Sequence, residues 1–187
     1  MLARPDVDPE RVAVIGVSQA GYWVPRALAF ERRFAAAVAD PGVTDVSASW
    51  TGTLPQVMRN QLHDHKQVSF DREMHLAELL SPGTAATLTS RGRPYGIEGT
   101  SRYELFTAVA AYRLSGEEQE ITTPLLITDP EDEQFWPGQS QQLYDQLPGP
   151  KQLVTFTSAE GASRHCEPMA RSLRDTRIFD WLEEYLR

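Results

Sequence analysis

The sequence predicts an α/β fold, in which a mainly parallel sheet is flanked by helices and carries a helical insertion. Three observations lead to this prediction. Short apolar runs with the composition of strands alternate with segments of helical periodicity. Proline, glycine or aspartate bounds most of these runs. The long stretch between the second and third runs contains helical patterns and no convincing strand.

Four runs are predicted to be strands. The first, residues 11–16, follows an Asp-Pro turn signal and reads RVAVIG. It is too short for a helix and too continuously apolar for a half-exposed strand, which favours a buried strand of a parallel sheet. The other three runs are residues 34–39, 125–128 and 153–157.

Three helices are predicted to accompany these strands. The first should begin near Ala20 and carry Pro25 in its first turns, because a proline deep inside a helix removes a hydrogen bond. The second is predicted at residues 138–147. The third, at residues 170–186, repeats its apolar residues every three or four positions, as an amphipathic helix does.

The remaining helical patterns indicate an insertion. They lie at about residues 54–65, 71–80 and 103–114, with a joint rich in Gly, Pro and Arg at residues 91–99. We therefore expect residues 1–48 and 122–187 to form the α/β core. Residues 49–121 should form a helical cap insertion that lies over one edge of the sheet.

Length and composition narrow the class of protein. The chain has 187 residues, a length that suits one domain. Its 26 acidic and 18 basic residues give a net charge of −8, which argues against nucleic acid as a partner. A single cysteine cannot form a disulfide framework within the chain. With no apolar run of about 18 residues and no signal-peptide pattern, the predicted location is cytoplasmic and no membrane contact is expected.

The sequence GVSQAG at residues 16–21 lies between the first predicted strand and the first predicted helix. A serine on such a turn is held in a strained conformation, and small residues two positions away on either side leave room for it. Ser18 is therefore a candidate nucleophile. The backbone N–H of Gln19 is a candidate oxyanion donor, at a helix N-terminus that favours negative charge. The alternative is an ordinary glycine-containing turn.

A serine nucleophile needs a general base and an acid that orients the base. His165 lies on the loop after the fourth predicted strand, and no other histidine has such a position. The acid is expected in the sequence DPEDE at residues 129–133. Asp132 is favoured because the shorter side chain is the usual orienting acid, whereas a spacing of four residues to Pro137 favours Glu133. A solvated acidic loop is the alternative interpretation.

The segments GVSQAGYW, TDPEDEQFWPGQS and GASRHCEP together resemble the α/β-hydrolase superfamily. The most similar branch is that of the hydrolases related to dipeptidyl aminopeptidases, acylaminoacyl peptidases and fermentation-switch esterases. The resemblance covers nearly the whole chain and implies hydrolysis of an ester, amide, thioester or C–C bond in a small-molecule or peptide substrate. It implies a triad of Ser18, His165 and Asp132, with Gln19 at the oxyanion and no cofactor. Ala20 stands where glycine is commoner.

The position of Ser18 departs from the family pattern. Several strands normally precede the nucleophile, and one of their loops supplies a second oxyanion N–H. The sequence therefore resembles the C-terminal part of a hydrolase, in which the strand around Val12 and Ile15 is an exposed edge. Such an edge invites pairing with a second copy or a partner chain. The alternative function is thus a non-catalytic or incomplete module that needs a partner to complete the sheet and the oxyanion hole.

Large aromatic residues near the ends of predicted strands are candidates for a substrate pocket. They are Tyr22, Trp23 and Trp136. Packing in the core is the alternative role for such side chains.

Two other groups have simpler interpretations. The pattern of His63, Asp64 and His65 lacks the spacing of a metal site, so no metal is predicted. Cys166 is interpreted as a small buried residue beneath the histidine loop, because the chain has no second cysteine.

Overall fold

The computed structural model describes residues 4–97 and 101–187. Residue contacts divide the chain into two compact units. The sheet unit comprises Met1–Asp45 and Arg113–Arg187, and the helical unit comprises Val46–Tyr112. Each has buried apolar residues of its own. That the helical unit serves as a cap stays a prediction.

Four parallel strands form the sheet in the order β1-β2-β3-β4. They are β1 (Ala13–Val17), β2 (Ala36–Asp40), β3 (Leu125–Pro130) and β4 (Lys151–Phe156). The predicted α/β fold with a parallel sheet is confirmed, and each predicted strand overlaps an observed one. All five residues of β2 are buried, since this strand lies inside the sheet and is covered on both faces.

Strand β1 is the exposed edge that the position of Ser18 predicted, and not the buried strand that its apolar composition alone favoured. Within the described residues β1 pairs with β2 alone, so it lies at an edge of the sheet. The side chains of Ile15 and Val17 are accordingly exposed, although the apolar sequence of this strand predicted burial. An apolar strand sequence is compatible with burial, but it does not show which part of the protein, if any, covers the strand.

Eight α-helices occur in the described residues. In chain order they are α1 (Ala20–Leu28), α2 (Ala48–Thr51), α3 (Gln56–His63), α4 (Gln67–Leu80), α5 (Pro82–Gly92), α6 (Arg102–Ala110), α7 (Gln139–Gln146) and α8 (Arg171–Tyr185). The predicted helices of the sheet unit correspond to α1, α7 and α8.

Pro25 lies inside α1, as predicted. Because proline has no N–H, the carbonyl of Gly21 loses its usual helical donor. The N–H of Val43 donates to that carbonyl instead, at 3.3 Å. A hydrogen bond from outside the helix therefore compensates for the proline.

Alternate residues of β2 face opposite sides of the sheet, and each side has its own core. Ala37 and Ala39 pack with apolar residues of α1, β3 and α7. Ala36 and Val38 pack with Leu126 and with the apolar stripe of α8. Members of that stripe are Ile178, Trp181 and Leu182. The sheet is thus a central layer that holds the carboxyl ends of its strands at one edge.

The helical unit is built around aromatic residues. The Phe106 ring lies edge-on to Trp50 and to Phe70, with centroid distances of 5.7 and 5.3 Å. Its helix α5 was not predicted. The sequence there is rich in Thr and carries Gly83, both weak helix formers, but Pro82 stands at the helix start, where proline is favourable.

The predicted joint at residues 91–99 covers the end of α5 and a 3₁₀ turn at Arg93–Tyr95. Its last two residues lie outside the described part of the chain. No helix among residues 4–97 and 101–187 combines the length and the apolar character that crossing a membrane requires.

Candidate active site

Ser18 lies on the turn between β1 and α1 and has a positive φ of 60°. A non-glycine residue rarely adopts this conformation, so the surrounding structure must hold it. The N–H of Ser18 donates to the backbone carbonyl of Asp40 at 2.6 Å. The strained turn is thereby attached to the end of β2.

Two glycines make room for this turn. A Cβ on Gly16 would lie 2.3 Å from the carbonyl oxygen of Ala20, and a Cβ on Gly21 would lie 1.8 Å from that of Pro41. Both distances are far below contact distance, so α1 approaches the sheet closely only because side chains are absent at these positions. The glycine pattern of the sequence signal thus has a direct steric cause.

His165 connects Ser18 to an acid. Its Nε2 lies 2.8 Å from the Oγ of Ser18, and its Nδ1 lies 2.8 Å from the Oε2 of Glu133. A carboxylate only accepts hydrogen bonds, so Nδ1 carries the proton and donates it. Nε2 is then left as the acceptor for the hydroxyl of Ser18.

The acid beside His165 is Glu133, which corrects the preference for Asp132. The carboxylate of Asp132 faces another way and accepts hydrogen bonds from the hydroxyls of Ser163 and Ser158, at 2.7 and 3.3 Å. Its backbone N–H donates to the carbonyl of Ser163, which fixes this orientation. The loop therefore presents the next residue, whose longer side chain reaches the imidazole.

The carboxylate of Glu133 is almost fully buried and well supplied with donors. Its Oε1 accepts from the N–H groups of Phe135 and Trp136, at 2.8 and 3.2 Å. Burial disfavours the charged form, but the hydrogen bonds from His165 and from the backbone outweigh it and lower the pKa of Glu133. The acid is thus held ionised beside the imidazole.

Aromatic rings pack against His165. The centroid of the Phe135 ring lies 4.8 Å from that of the imidazole, and the centroid of Trp136 lies 5.6 Å from it. Trp136 is buried, whereas Phe135 is 45% exposed. The structure thus brings Trp136 to the site. Phe135 presents an exposed apolar surface next to the imidazole.

The other predicted site residues lie on or beside the first turn of α1. Gln19 immediately precedes the helix, at the positive end of its dipole. Tyr22 is buried, with its ring 4.9 Å from that of the partly exposed Trp23. The roles of Gln19 in an oxyanion hole and of Tyr22 and Trp23 in a pocket stay predictions.

Sequence reasoning missed two acids close to this site. Asp40 ends β2 and Glu167 follows His165 by two residues, and both are fully buried. A signal was present for Asp40, because an acid directly after an apolar strand lies at the carboxyl edge of the sheet, where sites form. No comparable pattern singles out Glu167.

The histidines of the helical unit form other contacts. The Nδ1 of His63 lies 3.0 Å from the carboxylate of Asp64, and that of His65 lies 3.0 Å from the hydroxyl of Tyr103. The described residues contain no group of three or more potential ligands arranged to hold a metal ion.

Comparison with solved structures shows the class of fold. The α/β hydrolase GrgF from Penicillium sp. sh18 matches with a TM-score of 0.62 and 19% identity, over 99% of this chain and 67% of that one. Acetyl xylan esterase 1 from Thermoanaerobacterium matches with a TM-score of 0.53 and 19% identity, over 98% of this chain and 49% of that one. The acylaminoacyl peptidase of Pyrococcus horikoshii matches with a TM-score of 0.57 and 17% identity, over 97% of this chain and 25% of that one.

The chain therefore has the α/β-hydrolase fold, as the resemblance of its motifs implied. Within that class, residues 1–81 match the model of the prolyl oligopeptidase family. A search of curated protein sequences gave no match. The chain spans one quarter to about two thirds of the length of the three structures compared above. These comparisons support a hydrolase-type function in general.

Proposed function

We propose that this chain carries the catalytic centre of a serine hydrolase that cleaves an ester, amide or related acyl bond through an acyl-enzyme. One observation carries the proposal. The Oγ of Ser18, the imidazole of His165 and the carboxylate of Glu133 form a continuous hydrogen-bonded chain with two distances of 2.8 Å. This is the geometry of a nucleophile, a base and an orienting acid.

In the first half of the reaction, Ser18 attacks the carbonyl carbon of the substrate. Nε2 of His165 takes the hydroxyl proton as the Oγ–carbon bond forms, and the ionised Glu133 stabilises the resulting imidazolium. The carbonyl oxygen becomes an oxyanion near the N-terminus of α1. There the N–H of Gln19 is our candidate donor.

The imidazolium then returns the proton to the leaving alcohol or amine as the acyl bond breaks, which completes acylation. In the second half, water attacks the acyl group on Ser18 while His165 takes its proton, and the imidazolium returns that proton to the Oγ of Ser18 as the acyl–Oγ bond breaks and the acid is released. The rings of Phe135 and Trp136 pack against the imidazole and give it apolar neighbours. The substrate is a small molecule or a peptide with an acyl bond.

A second candidate function follows from the edge strand β1. Its exposed Ile15 and Val17 favour an arrangement in which a second copy or a partner chain pairs along this edge and completes the sheet. The chain would then be a module that is inactive until the partner supplies a second oxyanion donor. A cytoplasmic location stays a prediction for either function.

Labelling with a fluorophosphonate tests both candidates. We expect the probe to modify Ser18, as located by mass spectrometry, and Ser18→Ala to abolish labelling. Ser172→Ala, on the exposed face of α8, is the matched control and should label like the wild type. If folded protein shows no labelling of Ser18, the hydrolase proposal fails for the chain alone. Labelling that depends on protein concentration favours the module.

A further inference from the structure

Asp40 and Glu167 form a pair of acids that the proposed reaction does not use. Both are fully buried, one at the end of β2 and the other on the loop after His165. Three of their four carboxyl oxygens, Oδ2 of Asp40 and both of Glu167, are buried and have no hydrogen-bond donor from another described residue, and the two side chains interact with each other. Two ionised carboxylates have no donor between them, so the contact needs one proton on the pair.

The surroundings determine which acid holds this proton. The hydroxyl of Thr128 donates to Oδ1 of Asp40 at 2.7 Å, and the guanidinium of Arg174 lies 3.8 Å from its Oδ2. Neither carboxyl oxygen of Glu167 receives a hydrogen bond from a donor among the described residues. The charged form is therefore stabilised on Asp40, and the proton belongs on Glu167.

The pKa shifts of the two acids agree with a proton on Glu167. Burial, followed by the charge of Asp40, raises the pKa of Glu167 to about 9. Burial also raises the pKa of Asp40, while hydrogen bonds from Thr128 and Glu167 and the charge of Arg174 oppose the increase.

The pair is surrounded by charged or titratable groups from three elements. Arg174 of α8 faces both acids and also bonds to Asp175. The acid loop contributes Glu133, and the histidine loop contributes His165 and Cys166.

The pair lies between the turn that carries Ser18 and the loop that carries His165. The backbone carbonyl of Asp40 accepts from the N–H of Ser18 at 2.6 Å and from the Sγ of Cys166 at 3.5 Å. Cys166 and Glu167 both have a positive φ, of 57° and 44°. Two successive non-glycine residues in this conformation need contacts that hold them there.

We propose that Asp40 and Glu167 share one proton, held on Glu167, and that their hydrogen bond positions the loop of His165 against the strand end that holds Ser18. Both acids are positioning residues, since neither touches the reacting atoms. The positioning role rests on the proposed function, whereas the shared proton does not.

Infrared difference spectroscopy in H₂O and D₂O tests the shared proton without any activity. At pH 7 the wild type should show the C=O band of a protonated carboxylic acid, and Glu167→Gln should remove it. Glu183→Gln, on the exposed face of α8, is the matched control and should keep the band. A wild type without the band overturns the proposal, as does a band that survives in Glu167→Gln but is lost in Asp40→Asn.

Thermal unfolding gives a second test with a defined sign. A group with a raised pKa binds more protons in the folded state, so its contribution to stability falls as pH rises from about 4.5 towards 9. Glutamine does not titrate, so Glu167→Gln should gain stability relative to the wild type over this range. For one titrating group, the unfolding equilibrium constant of the wild type relative to Glu167→Gln can change by at most about tenfold per pH unit. A difference that does not change with pH contradicts protonation of Glu167.

The rate of fluorophosphonate labelling tests the positioning role. Glu167→Gln keeps a donor towards Asp40 and should label at a rate close to that of the wild type. Glu167→Ala should label about 10- to 100-fold more slowly, because a small displacement of the base is costly. Equal rates for wild type and a folded Glu167→Ala overturn the positioning role. If Glu167→Ala does not fold, Glu167→Met takes its place, because it keeps the length of the side chain but has no donor towards Asp40, and wild-type labelling by a folded Glu167→Met overturns the role. If the wild type is not labelled at all, the proposed function is wrong. The infrared and thermal-unfolding measurements still show whether Glu167 is protonated.

Discussion

Glu133 contacts His165, with its Oε2 2.8 Å from Nδ1, while the adjacent Asp132 bonds to Ser163. Exchanging the acids for amides separates their roles. Glu133→Gln should lower kcat for a chromogenic acyl ester by about 10³- to 10⁴-fold, because the imidazole loses the group that fixes its tautomer and stabilises its charge. Asp132→Asn is the matched control and should change kcat only a few-fold. The opposite ranking of the two variants would falsify the assignment.

The lowered pKa of Glu133 predicts how acid affects stability. A group with a lowered pKa stabilises the folded state above its ordinary value of 4.5 and loses that contribution as pH falls through the lower folded value. The free energy of unfolding of the wild type, relative to Glu133→Gln, should therefore be constant near neutrality and decrease below about pH 4.5. Urea titrations at several pH values measure it. An advantage for the wild type that grows towards low pH contradicts the ionised state of Glu133.

The sequence contained enough information for the strands, the helices beside them and two members of the candidate triad. Apolar runs and the glycines around Ser18 are local patterns with local causes, so a single chain reveals them. The choice between Asp132 and Glu133 depended instead on a hydrogen bond to the backbone of Ser163, which is 31 residues away. Glu167 was missed for the same reason, since only the fold brings it to Asp40. Helix α5 was missed because its residues have low helix propensity, and tertiary packing can override such a propensity.

The close approach of α1 to the sheet predicts which glycines are essential. Gly21→Ala should destabilise the protein by about 1–3 kcal/mol or more, since its Cβ would meet the carbonyl of Pro41. Gly83→Ala is the control, because a Cβ there has no neighbour within 4 Å. It should be neutral or stabilising by up to about 1 kcal/mol. Chemical denaturation followed by circular dichroism measures both variants, and equal costs would contradict the structure.

Arg102 connects three helices within the helical unit. Its Nε donates to the carboxylate of Glu78 at 2.5 Å and its Nη2 donates to the hydroxyl of Thr89 at 3.0 Å. The Arg102–Glu78 pair is largely buried, so Arg102→Ala should cost about 2 kcal/mol and leave Glu78 without its main donor. Amide hydrogen exchange should accelerate in α5 and the end of α4. Arg72→Ala, on an exposed position of α4, should leave exchange unchanged. Similar effects of both variants contradict the connecting role.

The thiol of Cys166 lies next to His165 in sequence, yet the structure predicts that it is unreactive. Burial, followed by the charge of Asp40, raises the pKa of Cys166 to about 12, so the thiolate is scarce at pH 8. Since each pKa unit lowers the thiolate fraction about tenfold, iodoacetamide should modify Cys166 several hundred-fold more slowly in the native protein than in urea. Fluorophosphonate labelling of Ser18 should proceed at the same time under native conditions. Rapid native alkylation of Cys166 would show that the thiol, and not only Ser18, is available as a nucleophile beside His165.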